Sequence, residues 1–264
     1  MSLGRILLVG STLVAATLAP TIMLFGDFAI WVGVALLVGY GAVILAGVMI
    51  PRLAMFAPVL WRVRSGRLEI ALTFDDGPSP ESTRKVLSTL RSFGAQATFF
   101  VLGEKAHAAP EVLREIAAAG HEIGVHGDHH DRMLSFRHPD RIAADLERAQ
   151  SAIAAATGQR TRLFRPPLGH ISPRTALVAR RLGLTLVGWS VRAKDGLSRT
   201  TVASALRRVV AGLRPGAIVL LHDASERGQY EPAGVNALPA ILEETRRRGL
   251  RCVSVSTLAG EASR

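Results

Sequence analysis

Residues Leu68–Pro78 read LEIALTFDDGP, an apolar segment that runs directly into two adjacent carboxylates, Asp75 and Asp76, and then into a turn. A short apolar run bounded by turn residues is typical of a strand covered on both faces. Gly-Pro ends the strand and turns the chain. Because a buried carboxylate is costly unless it is paired, metal-bound or protonated, the stretch predicts an acidic site on a rigid edge.

The alternation that begins with this strand continues through the rest of the chain. Strand-like segments cover 69–74, 97–102, 122–126, 162–165, 184–190, 217–221 and 251–255, and helical patterns cover 82–93, 110–119, 139–157, 173–182, 200–213 and 235–248. Several helical patterns begin near Pro and end at Gly, as helices commonly do. This order predicts an α/β fold around a parallel sheet, either an open doubly wound sheet or a closed barrel.

The N-terminal part has a different character. Between residues 6 and 50 the only charged side chain is Asp27, and it separates two apolar stretches, 6–25 and 28–50. Each stretch is near the roughly 20 residues that cross a bilayer as a helix. We therefore expect residues 1–66 to form a two-helix transmembrane hairpin with a linker, followed by a domain over 67–264. The alternative for the first stretch is a cleaved signal peptide, since residues 15–19 are mostly small.

The charges that flank the two apolar stretches indicate how the predicted hairpin would be oriented in the membrane. Arg5 precedes the first, Arg52 follows the second, and the turn between them carries no positive charge. By the positive-inside tendency both ends face the cytoplasm, whereas cleavage of the first stretch would leave the domain outside. The sequence thus predicts a multi-pass protein of the cell membrane and leaves open which face carries the domain.

The chain has a formal net charge of +11 and a single cysteine, Cys252. One cysteine excludes an intrachain disulfide, and its apolar surroundings predict a small buried side chain. Basic runs such as Arg246–Arg248 suit a solvated helix face or, near a bilayer, contact with anionic lipid. No nucleic-acid-binding motif accompanies the charge, so we expect membrane lipid as a partner and no nucleic acid.

Polar residues follow five of the strand candidates, at the ends where sites form in parallel α/β folds. These residues are Asp75 and Asp76, the run 126–131 (HGDHHD), the run 165–170 (RPPLGH), Asp195, and His222 with Asp223. His126 and His130 would share one face of a helix, and two histidines with one acid form the usual protein ligands of a catalytic zinc. Pairing of His126 with His129, or a solvated His-rich turn, are the alternatives.

With these residues in these positions, the sequence over about residues 67–258 resembles the polysaccharide deacetylase family, also called the NodB-homology domain or carbohydrate esterase family 4. Thr73–Pro78 (TFDDGP) matches the first motif of the family in full, and Leu220–His222 (LLH) matches its Leu-x-His motif. The resemblance implies an irregular (β/α)7 barrel behind the membrane anchor. It also implies a divalent metal, most often Zn²⁺, and hydrolysis of N-acetyl or O-acetyl groups on a carbohydrate.

The resemblance further implies a role for each residue that matches a family motif. The implied roles are general base for Asp75, metal ligand for Asp76, His126 and His130, orientation of the base for Arg165, oxyanion contact for the Leu168 N–H, tuning of the general acid for Asp195, general acid for His222, and the acetyl pocket for Leu220. The partner of such a site is an acetylated carbohydrate.

This chain departs from the family pattern at four positions. Gly127 stands where the family has Ser or Thr, Leu168 where it has Tyr, Arg192 where it often has Asp, and Gly196 where it often has an aromatic residue. The departures predict a more basic and more open pocket. Arg192 would bind substrate, and with Lys194 it would suit an anionic group, such as the phosphate of a lipid-linked sugar.

The leading prediction is a metal-dependent hydrolase that uses metal-activated water to remove acetyl groups from a cell-envelope polysaccharide or a lipid-linked sugar. One alternative is a deacylase or deformylase of a polyprenyl-phosphate sugar at the cytoplasmic face. An alternative of another class is a catalytically silent, membrane-anchored protein that binds glycan without turnover.

Overall fold

A parallel sheet organises the chain from residue 69 onward. The computed structural model describes residues 2–23, 27–64, 66–227 and 230–260. Within them the strands are β1 Glu69–Asp75, β2 Ala97–Val101, β3 Glu122–Val125, β4 Leu163–Phe164, β5 Thr185–Leu186, β6 Val191–Arg192, β7 Ile218–His222 and β8 Arg251–Cys252. They run in the order β5-β4-β3-β2-β1-β7-β6, with β8 beside the start of β1, and all the pairings are parallel.

β1 is the central strand, and its seven residues are all buried. The register sets Asp75 opposite Phe100 of β2 on one side and opposite His222 of β7 on the other. Phe74 stacks on Phe99 across the β1–β2 pair, with the ring centroids 5.1 Å apart. The carboxyl ends of the central strands therefore meet at one edge, and Asp75 lies in the middle of that edge.

Helices cover the sheet between the strands. They are α3 Ser82–Ser92, α4 Gly103–Ala108, α5 Pro110–Ala118, α6 Pro139–Thr157, α7 Pro173–Arg181, α8 Val202–Gly212, α9 Ala233–Arg247 and α10 Val255–Ala259. The six helical patterns of the sequence all form, and α6 has the predicted bounds because Pro139 opens it and Gly158, in the left-handed region, closes it. The short helices α4 and α10 were not predicted from the sequence.

The predicted strand 184–190 is too long, since only Thr185–Leu186 of it forms a strand, β5, and the next strand, β6, begins at Val191. The carbonyl oxygens of Val187 and Gly188, which lie between them, accept hydrogen bonds from the Arg165 guanidinium, at 3.4 and 2.9 Å. The sheet is consequently a half-barrel of parallel strands, and β5 and β6 are its two edges. The half-barrel is consistent with the irregular (β/α)7 barrel that the family resemblance implies, and it is neither a doubly wound sheet nor a fully closed barrel.

The segment before β1 lies against the open side of the half-barrel. Leu60 pairs with Val187 next to β5, and Arg62 pairs with Ala217 at the start of β7. The apolar segment 53–61 therefore contacts the sheet. These contacts join residues that are far apart in the chain, so composition alone does not reveal them. The family boundary at residue 67 stays a prediction.

Two helices precede this segment, α1 Leu3–Met23 and α2 Asp27–Met49. They pack against each other, and the hydroxyls of Thr12 and Tyr40 lie 3.3 Å apart. Within the described residues, one helical segment, Ile30–Met49, is long and apolar enough to cross a membrane, while the apolar part of α1, Leu3–Leu18, is shorter. The predicted turn between the two stretches lies partly outside the described residues, which omit 24–26. A two-helix anchor thus stays a prediction.

Candidate active site

Two adjacent buried carboxylates lie where β1 ends. Asp76 has a φ of +71°, which breaks the strand alternation after Asp75. As a result both carboxylates approach the same imidazole: His126 Nε2 is 3.8 Å from Asp75 Oδ2 and 3.4 Å from Asp76 Oδ1. The Lys105 ammonium donates to the Asp76 carbonyl oxygen at 2.7 Å and helps to hold this left-handed turn.

Asp76, His126 and His130 form a candidate metal centre. One ligand atom from each lies within 4.8 Å of the others, and all three residues are buried. Asp76 Oδ1 is buried without a hydrogen-bond donor, and the Nε2 atoms of the two histidines are 3.4 and 3.5 Å from it. A carboxylate oxygen and two imidazole nitrogens that converge without donors between them fit a divalent metal, and zinc prefers this ligand set.

The first histidine is oriented for this role by its other ring nitrogen. His126 Nδ1 lies 2.7 Å from the carbonyl oxygen of Arg165, so it carries the proton and leaves Nε2 free as a ligand. Burial lowers the pKa of His126, against the opposing effect of Asp75, which favours the neutral imidazole that a metal requires.

The two histidines meet through a loop, which corrects the expectation that they share a helix face. Gly127 and His130 both have positive φ, +98° and +49°. His129 turns outward instead, where its ring nitrogens lie 2.7 Å from Glu104 and 3.1 Å from Asp128. The alternative pairing of His126 with His129 is therefore wrong in this structure.

Arg165 is fully buried and contacts the first carboxylate. Its Nη1 donates to Asp75 Oδ1 at 2.6 Å and to Thr73 Oγ1 at 2.7 Å. The guanidinium also lies over the Phe100 ring, 4.1 Å from the centroid. Burial lowers the pKa of Arg165, and the Asp75 charge opposes that effect. Because a guanidinium stays protonated in proteins, this contact places a positive charge beside Asp75 and fixes the orientation of its carboxylate.

A histidine and a carboxylate form a second pair at the end of β7. Asp195 Oδ1 accepts from His222 Nδ1 at 2.9 Å, and Asp195 Oδ2 accepts from the His222 backbone N–H at 2.9 Å. Burial lowers the pKa of His222, but the charges of Asp195, Asp76 and Asp75 outweigh it and raise the pKa to about 9. His222 is therefore protonated at neutral pH and can donate a proton.

The remaining sequence-predicted site residues lie around this centre. Leu168 is on the loop after β4, has a φ of +58° and is exposed. Leu220 is buried in β7 opposite Arg192 of β6. Arg192 is exposed, with its guanidinium 5.8 Å from the Trp189 ring centroid. The roles assigned to these three residues stay predictions.

The expectation of open space at Gly196 needs correction. A Cβ added there would lie 2.9 Å from the His222 ring, so the imidazole occupies the space that an aromatic residue would need. Tyr230 also donates its hydroxyl to the Gly196 carbonyl oxygen at 2.6 Å. The absent side chain therefore makes room for His222 and does not widen the pocket.

Sequence reasoning missed a carboxylate that contacts the candidate metal centre, Glu226. Its Oε1 lies 3.2 Å from His130 Nδ1, and both carboxylate oxygens accept from Arg132, at 2.7 and 2.6 Å. Burial raises the pKa of Glu226, but Arg132 and His130 outweigh it, and the net pKa is lowered. Its place four residues after His222, in a loop at a strand end, was the only signal in the sequence.

We expect Glu226→Gln to weaken zinc binding by about 10- to 100-fold, because a carboxylate charge 3.2 Å from the second ring nitrogen of a ligand histidine favours its orientation and raises its basicity. Competition with a chromophoric chelator measures the dissociation constant of the metal. Glu231→Gln is the matched control, since Glu231 pairs with Lys85 on the surface. Equal zinc affinity in both variants would remove Glu226 from this role.

A second prediction concerns Gly127, where the family has Ser or Thr. An added Cβ would lie 3.2 Å from Asp145 Oδ2, which accepts the Asp128 N–H at 2.9 Å and so fastens the loop. At a φ of +98° any L side chain is strained, so Gly127→Ser should cost about 1–3 kcal/mol of unfolding free energy.

Comparative thermal unfolding of the full chain tests this expectation. Gly158→Ser is the control for backbone strain, because Gly158 also has positive φ (+76°) but has no atom within 4 Å of an added Cβ. We expect a lower melting temperature for Gly127→Ser than for Gly158→Ser. The opposite order would mean that the loop accepts the hydroxyl.

Comparison with known sequences identifies related proteins. A family model described as polysaccharide deacetylase matches residues 63–187. A peptidoglycan-N-acetylglucosamine deacetylase of Bacillus cereus is 34% identical over 201 residues, which cover 76% of this chain and 92% of the relative. A chitooligosaccharide deacetylase of a Bradyrhizobium species is 36% identical over 194 residues, which cover 70% of this chain and 88% of the relative.

Solved structures that are similar to this one also include peptidoglycan deacetylases and members of carbohydrate esterase family 4. The crystal structure of a peptidoglycan N-acetylglucosamine deacetylase is similar with a TM-score of 0.71 at 29% identity, over 76% of this chain and 92% of that chain. A carbohydrate esterase family 4 pseudoenzyme of Bacillus anthracis is similar with a TM-score of 0.69 at 26% identity, over 78% of this chain and 70% of that chain. The similarity thus extends to active and inactive proteins, which makes the individual residues of the site decisive.

Proposed function

The chain belongs to the polysaccharide deacetylase family, and from that premise we propose that it is a metal-dependent deacetylase that removes N-acetyl groups from a carbohydrate at the membrane. The observation that carries the proposal is the unpartnered Asp76 Oδ1 between His126 and His130, next to a carboxylate held by Arg165. We propose N-acetyl groups as the target because the related peptidoglycan enzymes are named for N-acetylglucosamine.

The residues of the chain divide the work of amide hydrolysis. A divalent metal bound by Asp76, His126 and His130 would polarise the acetyl carbonyl and lower the pKa of water. Asp75 takes the proton of the attacking water as its oxygen bonds to the acetyl carbon, and the Leu168 N–H donates to the developing oxyanion. His222 then protonates the nitrogen as the carbon–nitrogen bond breaks, which leaves acetate and a free amine.

Arg165 and Asp195 act through these two residues. Arg165 orients the Asp75 carboxylate through its hydrogen bond to Oδ1, which positions this group to accept a proton from water. Asp195 orients the His222 ring and stabilises its protonated form, as expected of a positioning carboxylate. Leu220 would line the acetyl pocket. Since the proposed base, acid and ligands are all present, a silent glycan-binding protein is the weaker alternative.

We further propose that residues 1–66 anchor the catalytic domain, 67–264, in the cell membrane as a two-helix hairpin. Supporting observations are the apolar segment Ile30–Met49 and its packing against the apolar helix α1. Both sequence stretches, 6–25 and 28–50, lack charged side chains, and a helix satisfies its backbone hydrogen bonds internally, as a bilayer requires.

Acetate release by the zinc-loaded full chain tests the function. The substrates are an N-acetylated chitooligosaccharide, an O-acetylated xylan and a formylated amino sugar, which separate deacetylase from esterase and deformylase. We expect acetate from the first, with one new amine per acetate, and loss of this activity in Asp75→Asn. No product from any substrate, with zinc bound, would contradict the proposal.

A further inference from the structure

The end of α2 that emerges from the apolar region packs on the loop that carries Leu168. The Ile171 N–H donates to the Val48 carbonyl oxygen at 3.0 Å, one residue before α2 ends. Pro51 lies two residues after the end of α2, and an added Cβ on Gly169 would lie 3.1 Å from the Pro51 Cγ. The hairpin thus meets the domain at the loop proposed to hold the oxyanion.

The path of the chain shows which face of the half-barrel this junction occupies. From Pro51 the chain passes Val187, just beyond β5, and then Gly216, just before β7, where the Val63 N–H donates to the Gly216 carbonyl oxygen at 2.9 Å. It therefore runs from the carboxyl ends of the strands to their amino ends, where β1 begins. The hairpin leaves the domain at the carboxyl-end face, where the proposed catalytic residues lie.

The loops around this junction expose large apolar side chains. Met133 is 52% exposed, Phe136 40% and Leu168 40%. Ser135 donates to the His170 carbonyl oxygen, and the Phe136 ring lies edge-on to the His170 ring with centroids 6.3 Å apart. Single exposed apolar residues are ordinary, but these three lie on two loops that contact each other, and the second of these loops also contacts the end of α2; we refer to Met133, Phe136 and Leu168 as the apolar rim.

Basic residues lie at the end of β6 and directly after it, at the same face. Arg192, Lys194 and Arg199 are exposed, and no ion pair with a carboxylate within 4.0 Å forms at any of them in the described part of the chain. By contrast, Arg132 and Arg137 are paired with Glu226 and Asp131. Unpaired cations next to exposed apolar side chains are the composition of a surface that binds an anionic bilayer.

We propose that this carboxyl-end face lies on the bilayer that holds the hairpin, and that its substrate is an acetylated sugar carried on a lipid. The apolar rim (Met133, Phe136 and Leu168) enters the interface, and the unpaired cations contact anionic headgroups or the phosphate of the carrier. A sugar attached to a membrane lipid projects directly into a site in this position. The inference rests on the proposed deacetylase function and on the proposed anchor.

The position of the face is tested without reference to activity. The full chain, with its single cysteine replaced by Cys252→Ala, receives a spin label at Met133→Cys or Phe136→Cys in nanodiscs of phosphatidylcholine and phosphatidylglycerol. The control is Phe93→Cys, between α3 and β2 at the amino-end face, where the exposure is 36%. Collision rates with oxygen and with a water-soluble nickel chelate report the depth of each label.

We expect the oxygen-to-nickel ratio at residues 133 and 136 to exceed the ratio at residue 93 by about threefold or more, because oxygen concentrates in lipid and the chelate is excluded from it. Equal ratios at the three positions would overturn the docking of this face. The result does not depend on whether the chain hydrolyses any acetyl group.

The substrate class is tested with one acetylated amino sugar in two forms, a free oligosaccharide and the same sugar linked through diphosphate to a polyprenol in the nanodisc. For the double variant Met133→Glu/Phe136→Glu we expect about tenfold slower acetate release from the lipid-linked form and a change within about twofold for the free form. Phe93→Glu should alter neither rate.

The outcomes separate the two proposals. An equal loss on both substrates would overturn the lipid-linked class, since the rim would then act on the fold and not on access. Acetate release together with equal oxygen-to-nickel ratios at residues 93, 133 and 136 would overturn the docking and would still support the deacetylase function. No acetate from either substrate, with ratios as expected, would overturn the deacetylase function and the substrate class but support the docked face.

Discussion

Asp75→Asn is expected to slow acetate release by about 10³-fold or more, near the upper range for loss of a general base, while zinc stays bound. The amide cannot accept the proton of the attacking water. The proposed ligands Asp76, His126 and His130 are unchanged, and Asp76 Oδ1 keeps its position between the two imidazoles. The variant therefore separates the base from the ligand within one pair of adjacent carboxylates.

Turnover from acetate release and zinc content from elemental analysis measure the two effects independently. Asp76→Asn is the matched control, and it should lose both activity and stoichiometric zinc. Because Arg165 is fully buried and donates to Asp75, the substitution also weakens a buried ion pair, and thermal unfolding checks that the fold persists. Loss of zinc from folded Asp75→Asn would contradict this division of roles.

Asp195→Asn is expected to slow turnover by about 10²-fold and to move the alkaline limb of the pH–rate profile to lower pH. The pKa of His222 is raised to about 9, so its imidazolium is present below that pH and is lost as the pH rises through it. Removal of the Asp195 charge lowers this pKa. The proposed general acid then deprotonates earlier as the pH rises.

A profile of kcat between pH 6 and about 10 measures the shift, because kcat reports the ionisation of groups in the substrate complex. Asp140→Asn, an exposed substitution in the first turn of α6, is the control and should leave the limb in place. A slower variant with an unchanged alkaline limb would mean that Asp195 acts only on the packing of β7 and not on proton transfer.

Much of the fold was predictable because the signals are local. The helix Pro139–Thr157 has a proline at its start and a glycine in the left-handed region at its end, and both act within a few residues. The buried strand Glu69–Asp75 is built on the apolar residues 70–72 and Phe74 and is followed by Asp-Gly-Pro. The break between β5 and β6 was not predictable, since it depends on Arg165, which is 22 residues distant from Val187 in the sequence.

The residues of the candidate site also divide into those that local sequence signals predicted and those that they did not. Asp75, Asp76, His126, Arg165 and His222 lie next to strand ends, so the alternation of strands and helices brings them to one edge. Glu226 and Lys105 carry no motif, and they reach the site through a loop and a short helix. The route by which His130 joins His126 was also mispredicted, because it depends on positive φ at Gly127 and at His130 itself.

The amino-acid sequence by itself determined the parallel α/β architecture, the family and the residue types of the site, because strand burial, helix termini and adjacent carboxylates are properties of short segments. Only the tertiary structure decided that the half-barrel stays open between β5 and β6 and that residues 60–63 cover this side. It also decided that the end of α2 packs on the loop of Leu168. These contacts join segments far apart in the chain, and they form because backbone hydrogen-bonding groups left free at sheet edges must find partners wherever the folded chain supplies them.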